Sequence, residues 1–135
     1  MKITLTKEES EEFFLTALCN GVGTGYISGH GLNVDTDKAH YQSAKEKLLE
    51  KTDGKAVCYE DVLMQVLRDG NPLIVTDDEG GEDSEYNVKV TLDMVHERVQ
   101  IAPLQVLVNV HNEEDDADDA DAILQTVFFN EIIFG

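Results

Sequence analysis

Apolar positions along the chain recur with periods that divide it into short elements. Ile3 and Leu5 alternate with Thr4 as in a short strand, after which Thr6 and Glu9 have the spacing of a capping box that opens a helix at about Lys7. In that helix Phe13, Phe14, Ala17 and Leu18 recur at helical spacing while Glu8, Glu11 and Glu12 face outward, and Asn20 with Gly21 predicts a left-handed terminus. Thr36 or Asp37 caps a second helix over residues 37–51, with Tyr41, Ala44 and Leu48 on its inner stripe. A third, over residues 59–69, buries Val62, Leu63, Val66 and Leu67 and stops at Gly70, Asn71 and Pro72.

Strand signals are shorter. Leu32 to Asp35 restores alternation after a glycine-rich loop, and residues 73–76 and 85–91 alternate on either side of an acidic turn, with Tyr86, Val88 and Val90 on one face; the latter pair predicts an antiparallel hairpin. Thr91 is placed to cap a helix carrying Leu92, Val95 and Val99, and Pro103 ends or kinks it and opens a short helix through Leu104, Leu107 and Val108. Beyond a polar interval over residues 111–116, a last helix buries Ile123, Leu124, Val127 and Phe128. Ile132, Ile133 and Phe134 are β-prone and predict a terminal strand in the interior of the sheet. The expected fold class is α+β: a single compact domain over residues 1–135, with a small, mainly antiparallel sheet packed against several amphipathic helices.

At 135 residues and 41% hydrophobic content the chain is long enough for one core. Charge changes the picture more. With 28 Asp and Glu against 10 Lys and Arg the net charge is -18, so direct nucleic-acid binding, which depends on Lys and Arg displacing counterions, is not expected. A protein with a basic surface is the better-matched partner. The two cysteines, Cys19 and Cys58, have no CxxC spacing and are expected to pack as small apolar side chains. The start MKITLTKEESEE carries no apolar signal run and no segment is long enough to cross a bilayer, so no membrane partner and a cytoplasmic location are expected.

Two stretches carry candidate chemistry. The first is the loop with glycines at 21, 23, 25, 29 and 31, where Gly23, Gly25, Tyr26 and His30, together with Lys45 from the lysine-bearing second helix, form a candidate ligand or nucleotide site. The loop follows a helix and completes neither a dinucleotide nor a P-loop pattern, and the glycines equally serve tight turns. The second is residues 113–121, with seven carboxylates and no cation. Asp115, Asp118 and Asp121 are expected along one helical face, and Asp in a first turn is favoured by the helix dipole. Glu113, Glu114, Asp115, Asp118 and Asp119 form the candidate partner-binding set. The run lacks the glycine and the alternating oxygens of a calcium loop, so no metal is expected.

Catalytic patterns are incomplete. Val95-His-Glu-Arg98 lacks the second histidine of a zinc protease helix, and Cys19 with His30 is the only nucleophile and base pair within reach of the loop. No enzyme and no cofactor is expected.

The segments ALCNG (17–21), CYEDVLM (58–64) and VHER (95–98) and the tail 112–135 together resemble a group of small acidic proteins encoded by bacteriophages and prophages of gut bacteria. The resemblance implies a genetic context and no site residues. By analogy it implies an accessory protein that binds and inhibits or redirects a host component, such as a defence factor, through an acidic surface in the host cytoplasm. The alternatives are a small-ligand or nucleotide-sequestering protein using the loop 21–31, and a virion or assembly component.

Overall fold

A computed structural model describes residues 4–22 and 25–134. Its described elements are α1 (Lys7–Gly21), α2 (Tyr26–Gly29), β1 (Leu32–Asp35), α3 (Lys38–Lys51), α4 (Tyr59–Arg68), β2 (Leu73–Asp77), β3 (Val88–Val90), α5 (Leu92–Arg98), a 3-10 turn (Val99–Ile101), α6 (Leu104–His111) and α7 (Ala117–Phe129). The fold is a small α+β fold. Antiparallel strands in the order β1-β2-β3 place Val34 opposite Val75 and Leu73 opposite Val90. Leu32, Val34, Leu73, Val75 and Val90 are buried from the same sheet. No helix among the described residues is long and apolar enough to cross a membrane.

Local sequence signals account for most helix starts. The Thr6 hydroxyl accepts from Glu9 N–H at 3.1 Å while the Glu9 carboxylate accepts from Thr6 N–H at 2.9 Å, completing the expected capping box. Asp37 caps α3 through Ala39 N–H, and Thr91 caps α5 through Met94 N–H. Pro103 stands at the N-cap of α6, where its missing N–H costs no hydrogen bond.

Two helices form the centre. From Val62 to Leu67 every residue of α4 is buried, because α3, α1 and β2 pack around it. In α7 every residue from Ala120 to Phe128 is buried, with α1, α2, α5, α6 and β3 around it. The stripe of Ile123, Leu124, Val127 and Phe128 is therefore only part of its buried surface. Arg98 Nη1 donates to Val127 O at 2.9 Å, satisfying a carbonyl in the last turn of α7.

Several expectations are corrected. Leu5 is in no strand; its N–H is satisfied by the Gln100 side chain at 3.1 Å, and Ile3 lies outside the described residues. Gly21 does not end α1 in a left-handed turn but remains helical, with Val22 as a right-handed cap. Its absent side chain serves packing: a Cβ there would meet Leu124 Cδ1 at 2.5 Å, so glycine permits the close approach of α1 to α7. The glycine-rich loop includes the short helix α2 before β1. Strand β3 begins only at Val88, because the Asn87 side chain bonds Asp77 N–H at 2.7 Å and Ser84 bonds the Asp77 carboxylate at 2.7 Å, which holds the preceding residues in a turn. Residues 132–134 form no strand, and the cause lies in α7 and is described below.

Both cysteines are exposed rather than core. Partial burial of its sulfur and the neighbouring Cys58, Glu60 and Asp61 push the Cys19 thiol up to about 11. So little thiolate forms at neutral pH that Cys19 is a poor nucleophile.

One polar knot ties three helices. Glu11 of α1 accepts from Arg68 Nε of α4 at 2.9 Å and pairs with His96 Nε2 of α5 at 2.9 Å. Burial pushes the Glu11 carboxyl up, but the hydrogen bonds and positive charge of Arg68 and His96 outweigh it and leave it below its ordinary value of 4.5. A depressed folded-state value contributes stability that is complete above the ordinary value and lost as pH falls through the folded one. Glu11→Gln is therefore expected to lower stability at neutral pH and to reduce the loss on acidification below 4.5. Urea midpoints measured from neutral to acid pH check this; parallel profiles for the two proteins would contradict it.

Candidate functional site

The glycine-rich turn and the acidic run, separate in sequence, meet in space. Asn20 Nδ2 donates to Asp115 Oδ2 at 2.8 Å, the Tyr26 hydroxyl donates to Asp118 Oδ1, and His30 Nε2 pairs with Asp121 Oδ1 at 2.9 Å. Asp118, Asp121 and Gln125 follow one another at helical spacing, so one face of α7 meets the end of α1 and α2. Asp118 and Asp121 share this face of α7 as expected, whereas Asp115 precedes the N-cap Asp116 and lies outside the helix, where it meets Asn20 at the end of α1. Its hydrogen bond to Asp118, then the charge of that carboxylate, raises the Tyr26 hydroxyl above its ordinary value.

The same face holds residues 133–134. Gln125 is fully buried; its Oε1 accepts from Ile133 N–H and Phe134 N–H, both at 2.8 Å, and its Nε2 donates to Asp121 Oδ2 at 2.7 Å and to Phe134 O at 3.0 Å. The Phe134 ring lies 4.9 Å from that of His30 at 14°, a stacked arrangement, and 5.4 Å from Tyr86. A side-chain amide therefore supplies the hydrogen bonds that a neighbouring strand would have offered residues 133–134. Gln125 is the residue that sequence reasoning missed. Its signal was a polar side chain four residues after Asp121 and two after Ile123 in a strongly apolar run.

The acidic run is built into the helix start. Asp116 is the N-cap of α7: it accepts from Asp119 N–H at 2.9 Å, while Asp119 Oδ2 accepts from Asp116 N–H at 3.2 Å and from Asn109 Nδ2 at 3.1 Å. Glu113 and Glu114 are exposed, and no side-chain hydrogen bond holds either among the described residues. Their backbones close α6, with Glu113 N–H on Val110 O at 3.1 Å and Glu114 N–H on Asn109 O at 2.8 Å. The ion pairs of the described residues are Lys47–Asp69, Arg68–Glu11, His96–Glu11 and His30–Asp121, none of which neutralises residues 113–119.

The candidate ligand site is divided differently. Tyr26 and His30 are turned toward α7, and Gly25, at φ 77°, provides the left-handed entry to α2. Lys45 is carried on α3, which packs against α4 instead of the α2–α7 junction. Gly23 lies outside the described residues. No family model matches the chain, and comparison with curated proteins and with solved structures finds nothing similar to it.

Proposed function

We propose that the protein is a non-catalytic, phage-encoded accessory factor that docks a basic surface of a host protein through the acidic junction of α6 and α7. The observation that supports this reading is the way the charge is held. Asp115, Asp118 and Asp119 accept from Asn20, Tyr26 and Asn109, all uncharged, so each carboxylate is fixed in position with no cation among the described residues paired to it. Negative charge positioned in this way costs little further ordering when a basic partner arrives. The small-ligand alternative has less support, because the polar groups of Tyr26 and His30 are already engaged.

Glu113 and Glu114 are the places to test it, since Asp116, Asp118 and Asp119 also hold the fold. In pull-downs from host lysate at low and high salt, the wild-type protein is expected to retain a partner at low salt and release it at high salt. Glu113→Lys with Glu114→Lys is expected to weaken that partner about tenfold with an unchanged melting temperature. Binding that is indifferent to salt and to this reversal would sink the reading.

A further inference from the structure

Sequence places apolar residues on both sides of α6. Leu107 and Val110 are buried, whereas Leu104 and Val108 remain 45% and 37% exposed, and Ile101, at the end of the preceding 3-10 turn, is 58% exposed. Leu104 and Val108, four apart on α6, share one outer face, and Ile101 precedes them across the extended residues Ala102 and Pro103. Such a stripe is out of character for a chain of charge -18 whose other surfaces are rich in carboxylates.

Beside the stripe lies a cleft of about 260 Å³, walled by Leu5, Phe13, Leu107 and Val108, with Glu9 and His111 at its edge. Pockets for small molecules occupy roughly 300–1,000 Å³, so this cleft suits one or two apolar side chains better than a metabolite. Charge decides what carries those side chains. Within α6 the only ionisable residue is His111, but Glu113 and Glu114 follow one residue later and Glu9 also lines the cleft. A second copy of the chain would bring the same strong negative field against this rim. A helix with apolar residues on one face and Lys or Arg on the flanks matches both the stripe and the rim.

We infer that the outer face of α6 and the cleft beside it form a docking groove for a basic amphipathic helix of a protein partner, an inference that rests on the proposal of a basic partner. The helix lays its apolar face on Leu104 and Val108, inserts a side chain beside Leu5 and Phe13, and sets its cations against Glu113 and Glu114. This is the helix-in-groove mode of recognition.

The experiment uses the full chain and three synthetic peptides of about 18 residues, long enough to form a helix. One is a Leu/Lys peptide with leucines at helical spacing, one has the same composition permuted to abolish the apolar face, and one replaces Lys by Glu. Affinity is read by fluorescence anisotropy and location by amide shift changes in the labelled protein. The amphipathic Leu/Lys peptide is expected to bind at least about tenfold tighter than the permuted one, with shifts over residues 101–111. Leu104→Gln with Val108→Gln is expected to abolish that difference, and because both side chains are exposed the fold should survive; the shift map of the unsubstituted protein is independent of this variant. Equal binding of both basic peptides, with shifts confined to residues 113–119, would overturn the groove and leave the basic-partner reading intact. Equal binding of the Leu/Glu peptide would overturn the charge match, and no binding by any peptide at low salt would overturn both.

Discussion

Gln125→Leu is expected to release residues 131–134 from α7 and to lower the unfolding free energy by about 2–4 kcal/mol. The substitution keeps most of the volume of a fully buried side chain but removes hydrogen bonds to Asp121, Ile133 and Phe134. If the tail stayed docked, the N–H groups of Ile133 and Phe134 and one oxygen of Asp121 would lose their shared partner, and unpaired buried groups cost about 1–3 kcal/mol each. If the tail lifted away, water would satisfy those groups, but Phe134 would lose its packing on His30, Tyr86 and Phe129. The second course is expected, because residues 131–134 are held chiefly through Gln125 and the Phe134 ring and are freed at small further cost. Hydrogen exchange at the Ile133 and Phe134 amides should then rise to nearly unprotected rates while α4 amides remain slow. Continued protection of the two tail amides would show that Gln125 does not hold them.

Phe14→Ala is expected to cost about 3–5 kcal/mol, the range for deleting a buried aromatic side chain. Phe14 is fully buried on α1, whose principal neighbour is α7. The approach of these helices is fixed at Gly21, where a Cβ would strike Leu124, and both central helices are buried on nearly all sides. Little can move inward to fill the space, so the cavity persists and adds to the lost transfer energy. Chemical denaturation should show a lower midpoint with a similar slope, and far-ultraviolet dichroism should retain the helices, since the Thr6–Glu9 capping box is untouched. A loss under about 1 kcal/mol would mean that the α1–α7 contact relaxes around the deletion.

Helix beginnings were legible because their causes are local. Thr6 with Glu9, Asp37, Thr91 and Pro103 act on backbone groups within three residues, and each stands at the start of its helix. The hairpin of β2 and β3 was legible from alternation, although Ser84 and Asn87 shortened its second strand through side-chain hydrogen bonds with no periodic signature. Cys19 follows Leu18 in sequence, yet the neighbouring position on a helix points about 100° away. It therefore emerges exposed while Leu18 is buried. The candidate site was legible in its residues and not in its arrangement: Tyr26, His30, Asp115 and Asp118 were identified, but as two sites instead of the two sides of one junction.

By itself the sequence determined the α+β class, the helix starts and the concentration of negative charge over residues 113–121, because capping, periodicity and charge act over a few residues or through the sum of the chain. Only the tertiary structure decided that Tyr26 meets Asp118 and His30 meets Asp121, across separations of 92 and 91 residues. It also decided that Gln125, polar and four residues from Asp121, is buried and holds residues 133–134. The physical reason is that α7 is enclosed from Ala120 to Phe128, where Asp121 and Gln125 lie. These two polar side chains must therefore find partners in the protein instead of water, and which partners arrive depends on how α1, α2 and residues 133–134 pack around them.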